Sequence, residues 1–262
     1  MGYTTGDIAV NNRPMRICSF GQIGKTLSEM TIAGFAQQGG DPEDVQLCTY
    51  DDNVTQLRRF AYFSKEFFDD PDMKLDYPNA VPGWYEYPAS AFDDFDFEKP
   101  CNDVALPYGQ GCVLVGGASG GVTFNSSGEV VEQEVEIELA VNHRRMTGNV
   151  LPRKCNVSEI KQVGGDPEDI QLYTYNNNVQ TQHRYAYFGE EFWADEDNQK
   201  DFPGGSIGWY EYPESAFDDF ELDAPPVSFT FDPNEGFVMV GGASGGATFK
   251  LPKAIPDPVV ED

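Results

Sequence analysis

Val45-Gln46-Leu47-Cys48-Thr49-Tyr50, Asp51-Asp52-Asn53, Arg59-Phe60-Ala61-Tyr62-Phe63: two runs rich in β-branched and aromatic residues flank a polar turn. Alternation of apolar and polar side chains over four to eight residues marks a strand, and Asp/Asn clusters between two such runs mark the turn of a hairpin. At an offset of 125 residues the same design returns as Ile170–Tyr175, Asn176–Asn178 and Arg184–Phe188. The offset then holds without a gap from Gly39–Phe124 onto Gly164–Phe249, with identity at roughly half the positions. Four blocks carry it: G-G-D-P-E-D from Gly39 and Gly164, G-W-Y-E-Y-P from Gly83 and Gly208, S-A-F-D-D-F from Ser90 and Ser215, V-G-G-A-S-G-G from Val115 and Val240. A repeat of this length reads as one folding unit present twice, the copies packing with pseudo-symmetry.

Outside the hairpins the signal is still strand and turn. Val113–Val115, the run Gly116–Gly121 and Val122–Phe124 read as strand, glycine turn, strand. Val135–Val141 alternates strictly between apolar residues and glutamates. Helical turns are expected only near Thr31–Phe35 and Val157–Ile160. The fold class expected is all-β: two tandem homologous β-sandwich-like modules, residues 1–128 and 129–262, with one or two short helical turns each.

Charge narrows the function classes. The chain has 44 acidic and 17 basic residues, a formal charge of −27. Such a polyanion repels nucleic acid and anionic lipid, since each phosphate contact would need a cation. No apolar run reaches membrane-spanning length. Met1–Val10 lacks the basic-then-apolar pattern of a leader, so an exported chain would have lost its signal peptide already.

Each motif that could carry chemistry has a plainer reading beside it. G-A-S-G-G at Gly117 and Gly242 fits the nucleophile elbow, but a strand pattern rather than a helix follows it, and the two histidines, His143 and His183, are not equivalent in the repeat. A glycine β-turn is expected, and no enzyme. Acidic residues recur at matched places, Asp70, Asp72 and Asp76 in copy one, Asp195, Asp197 and Asp201 in copy two. Alternating carboxylates can collect the six to eight oxygens of a calcium site, although the EF-hand glycine and terminal glutamate are missing. Calcium is therefore the one cofactor candidate, against a solvated acidic loop. Trp84 and Trp209 could form a platform on which sugar rings stack, against a place in the core. Asn53, Asn125 and Asn156 open N-x-[ST] sequons.

The five cysteines differ between the copies. Cys101 and Cys112 correspond to Pro226 and Phe237, so both are missing from copy two. Joint loss suggests that they bond to each other, which would imply an oxidising compartment. Cys18, Cys48 and Cys155 have no partner legible in the sequence.

Gly2-Tyr3-Thr4-Thr5, the strand entry Asp232-Pro233-Asn234-Glu235-Gly236-Phe237, the ending Thr123-Phe124-Asn125-Ser126-Ser127-Gly128-Glu129-Val130 and the opening Gly148-Asn149-Val150-Leu151-Pro152 together resemble a family of uncharacterised secreted two-repeat bacterial proteins, Verrucomicrobia-like and Lentisphaerae-like in source. Copy one departs from that pattern at Tyr108-Gly109-Gln110-Gly111-Cys112. The resemblance implies export to the cell surface or beyond and carries over no catalytic residue. It is similar also to subunits of extracellular filaments. The expected function is thus a secreted structural subunit that self-assembles into a filament or surface layer, a homo-oligomer or helical polymer joined through its terminal segments. Thr4–Val10 and Leu251–Asp262 would serve as arms, with Arg58, Arg59, Arg144 and Arg145 neutralising acids across the joint. The alternative is a carbohydrate-binding or adhesive module using glycans as partners.

Overall fold

A computed structural model describes residues 2–10, 15–19, 36–38, 42, 44–51, 53–90, 93–117, 121–129, 133–176, 179–215 and 219–252. Copy one contributes β1 (Gly2–Val10), β2 (Met15–Ser19), β3 (Ala36–Gln38), β4 (Gln46–Tyr50), β5 (Leu57–Phe63), α1 (Lys65–Asp69), α2 (Pro71–Asp76), β6 (Gly83–Glu86), β7 (Gly111–Val115) and β8 (Gly121–Glu129). Copy two contributes β9 (Val135–Leu139), β10 (Arg144–Gly148), β11 (Cys155–Asn156), β12 (Lys161–Val163), β13 (Gln171–Tyr175), β14 (Gln182–Phe188), α3 (Glu190–Trp193), α4 (Glu196–Asp201), β15 (Gly208–Glu211), β16 (Thr230–Phe231), β17 (Gly236–Val240) and β18 (Ala247–Leu251). The fold is all-β, built of antiparallel sheets with a few short helices.

Strand order repeats between the halves. One five-stranded sheet runs β2-β7-β4-β5-β6 and the other β10-β17-β13-β14-β15. The three-stranded sheets run β1-β8-β3 and β9-β18-β12. Register repeats too: Cys18↔Cys112 in β2–β7 takes the place of Thr147↔Phe237 in β10–β17. The glycine run after β7, and its counterpart after β17, carries the chain from the large sheet to the small one instead of closing a hairpin. A side chain at Gly117 or Gly242 would strike the Cβ of Asp44 or Asp169, 2.7 and 2.4 Å away. Glycine is needed there for close backbone approach.

Each large sheet is covered on both faces. In copy two, Leu172, Tyr185, Tyr187, Trp209, Phe237 and Met239 of the large sheet meet Ile137, Leu139, Ala247, Phe249 and Leu251 of the small one, with Trp209 stacked on Phe249 at 6.1 Å. Cys18, Leu47, Phe60, Tyr62, Trp84, Cys112 and Leu114 form the matching face in copy one. The opposite face is shared by two partners. Near β5 and β6, Ala61, Phe63 and Tyr85 pack on Phe67 and Phe68 of α1 and on Phe97. Near β2, β7 and β4, Ile17, Cys48 and Val113 pack on Met146 and Val238 of the other module. Burial of both faces is why Phe60–Phe63 is solidly buried rather than alternating.

The helical turn expected near Val157–Ile160 is present as a 3-10 turn at Val157–Glu159, closed by a capping box between Asn156 and Glu159. The turn expected at 31–35 lies outside the described residues. Four short helices were not anticipated. Ser64 accepts from the Phe67 N–H to start α1, and Asp70 accepts from the Asp72 and Met73 N–H groups to start α2, with Pro71 at the first helical position.

Candidate functional site

The candidate residues fall in separate parts of the molecule. Trp84 and Trp209 are 1% and 0% exposed, and Trp209 lies between the sheets of copy two. Trp84 meets Tyr62 edge-on at 5.4 Å, and Trp209 donates its indole N–H to the Ile160 carbonyl at 2.8 Å. Neither offers a ring face to a sugar, so the platform reading is corrected: the alternating W-Y-E-Y pattern sends tryptophan into one apolar core face, tyrosine to the helices and glutamate outward.

The acidic series is likewise dispersed. Asp70 and Asp195 cap α2 and α4, and Asp72 and Asp197 occupy the first turns of those helices. A carboxylate at a helix start is stabilised by the exposed N–H groups it accepts from. Asp76 and Asp201 are the last helical residues. Among the described residues no three His, Cys, Asp or Glu side chains gather as a metal set.

The disulfide expectation is corrected as well. All five cysteines are free thiols in this structure, and what excludes this pair is position. Cys101 donates its N–H to the Trp84 carbonyl of β6 at 2.6 Å, whereas Cys112 lies on β7. Two strands, β4 and β5, stand between β7 and β6. Three strand spacings amount to about 14 Å, twice the reach of a disulfide.

Ser244, the serine of the second G-A-S-G-G, donates its N–H to the Asp169 carboxylate at 2.9 Å. That serine and the backbone around it hold the Asp169 carboxyl below the usual range. The glycine loop thereby ties the D-P-E-D turn to the end of β17. Ser119 lies outside the described residues. His183 meets Glu211 at 2.9 Å on the surface, where copy one has Arg58 on Glu86 at 2.8 Å. His143 lines a cleft of about 480 Å³ with Glu138, Arg145, Val163 and Thr248.

The sequon side chains do structural work where they are described. The Asn53 Oδ1 accepts from the Arg144 N–H at 2.9 Å, between the modules. Asn156 accepts from the Ser158 N–H and donates one amide N–H to the Ser228 hydroxyl at 3.1 Å. The Asn125 side chain is outside the description.

The terminal arms are corrected in part. Thr4–Val10 belongs to β1, which pairs with β8 of the same chain from Gly2↔Glu129 to Val10↔Val122, with a bulge between Thr5 and Ile8. Leu251 closes β18 opposite Val135, and residues 253–262 are outside the description. Three of the four arginines assigned to a joint have side-chain contacts within the chain: Arg58 on Glu86, Arg59 over the Tyr87 ring at 5.2 Å, Arg145 on the Glu138 carbonyl at 3.4 Å. No helix among the described residues is long and apolar enough to cross a membrane. Comparison with protein-family models, with curated proteins and with solved structures found no match.

Proposed function

We propose that the chain is a secreted structural subunit that assembles with copies of itself into an extracellular filament or surface layer. One observation carries the reading: the way its sheet edges are finished. An open edge presents unpaired N–H and C=O groups, and soluble proteins blunt such edges with charge, brevity or cover. The β6 edge is covered by the Cys101 N–H and the β15 edge by the Val227 N–H on the Trp209 carbonyl at 2.8 Å. The β2 edge meets the Asn234 carbonyl through the Ser19 N–H at 3.1 Å. β9 carries exposed Glu136 and Glu138, and β3 and β12 are three residues long. β1 differs. Among the described residues it stands at an edge of its sheet, it is nine residues long, and its only blunting features are Asp7 and the bulge between Thr5 and Ile8. An edge of that kind is a template for strand addition by a neighbouring molecule, and the net charge of −27 keeps the rest of the surface from associating.

The test uses single variants of the full chain, Thr4→Lys and Thr5→Lys. Adjacent residues of a strand face opposite ways, so one of the two places its charge on the outer face. Wild type is expected to give polymers in negative-stain microscopy and sedimentation, and the variant that keeps the wild-type melting temperature is expected to remain monomeric. A wild type that is monodisperse at every concentration, or a folded lysine variant that polymerises undiminished, overturns the proposal.

A further inference from the structure

We propose that Cys18 and Cys112 form a disulfide that staples β2 to β7 when the chain folds in an oxidising medium. They are directly opposed in the antiparallel register, between the neighbouring pairs Ile17↔Val113 and Ser19↔Gly111. Opposed residues of paired strands share a face, and their Cα atoms lie about 4.5–5.5 Å apart, inside the range that a disulfide spans. Both side chains belong to the same apolar cluster on one face of the large sheet of copy one, and both residues are 0% exposed.

The other pairings are excluded by position. Cys48 is opposed to Arg59 and packs with Ile17, Val113, Met146 and Val238 on the reverse face of the same sheet, so the sheet itself separates it from Cys112. Cys101 is bonded to β6, three strands from β7. Cys155 lies in the core of the other module. The repeat supplies an independent argument. The position opposed as Cys18↔Cys112 in copy one is Thr147↔Phe237 in copy two, so two cysteines stand against each other where the sister module has neither.

The chemistry is thiol–disulfide exchange with an external low-molecular-weight disulfide as oxidant. One cysteine, as thiolate, attacks the oxidant and releases one thiol. The second attacks the mixed disulfide, closes the Cys18–Cys112 bond and releases the other thiol. Two electrons and two protons leave the protein. Timing follows from burial. In the folded sheet, desolvation pushes the Cys18 thiol up to about 12 and the Cys112 thiol well above its ordinary value, which leaves almost no thiolate to react. The bond must therefore close before or as β2 docks, and once closed it is shielded from reductants. The oxidising medium rests on the proposal of export, but the pairing does not.

The chain is unfolded in guanidinium with reductant, refolded in a reduced/oxidised glutathione buffer, alkylated, and digested with trypsin and chymotrypsin, which cuts at Tyr108 between Cys101 and Cys112. A cross-linked peptide pair containing Cys18 and Cys112 is expected, with two of the five thiols lost to titration in denaturant. Cys101→Ser and Cys48→Ala are expected to lose the same two thiols, and Cys112→Ala to form no intramolecular bond. A Cys101–Cys112 peptide, or five free thiols in refolded wild type, overturns the proposal. Because wild type alone decides this, a variant that fails to fold does not blur the result. Thiol counts on material taken from its native compartment test export separately: the bond formed in vitro but absent there would sink the secreted reading and leave the pairing intact.

Discussion

Glu235 shows how one residue can be stabilising by position and costly by charge. It follows Asn234, which holds a left-handed backbone (φ 63°) at the entry to β17. Its carboxylate accepts the Asp232 N–H at 2.8 Å, yet burial raises its pKa, with Arg16 and Lys154 pulling the other way. A carboxyl whose folded pKa is raised contributes stability below the unfolded pKa and loses it as pH rises through the folded one. Glu235→Gln keeps an acceptor oxygen and removes the buried charge. The variant is expected to be more stable than wild type by about 0.5 kcal/mol at pH 7, discounted for the carboxylate's remaining solvent contact, and the gain should vanish below the ordinary glutamate range. Melting temperatures across pH check this, and a gain that is independent of pH would refute it. At this scale the sequence was least legible. Tryptophan at alternating positions reads equally as platform or core, and Trp84 and Trp209 are decided by tertiary packing, Trp209 by Phe249 of the small sheet. The residue opposed to Cys112 could not be read either, because opposition depends on the β2–β7 register and not on spacing along the chain.

Elements were more legible where a single interaction determines them. The hairpins β4–β5 and β13–β14 follow from alternation and an Asp/Asn turn, and they form with the ends expected to within two residues. The short helices were missed although copy one announces α2 with Asp70-Pro71, a cap followed by proline. Their acidic residues looked like ligands because a run of carboxylates serves both roles in sequence. The two readings separate experimentally. As a cap, Asp70→Ala should cost about 1 kcal/mol, and Asp195→Ala the same, with melting temperatures lowered equally in EDTA and in millimolar calcium. A loss that appears only with calcium present would restore the metal reading.

At the scale of the whole molecule, the all-β class was legible from period-two patterning, but how the two copies meet was not. Contact between them depends on residues that are unremarkable in sequence. A Cβ at Gly111 would lie 2.4 Å from Met146 Cγ and 2.7 Å from its carbonyl carbon, and one at Gly236 would lie 2.4 Å from Ile17 Cγ2 and 2.6 Å from its carbonyl carbon. Gly111 corresponds to Gly236 and Ile17 to Met146, so each module presents the same two residues to the other. A self-complementary contact of this kind closes on itself and cannot propagate. The polymer proposed above would therefore have to grow at other surfaces, such as the β1 edge, while the two glycines permit the close approach of the modules. Gly111→Val and Gly236→Val overpack backbone against backbone, which no rotamer change relieves, at about 1–3 kcal/mol each. Calorimetry of wild type should give one cooperative transition. In the double variant the contact should open while each inter-sheet core stays intact, giving two transitions, with probes near Trp84 and Trp209 melting separately. A double variant that still melts in a single transition would mean that the modules are coupled by something other than the approach of β2 to β17 and of β10 to β7.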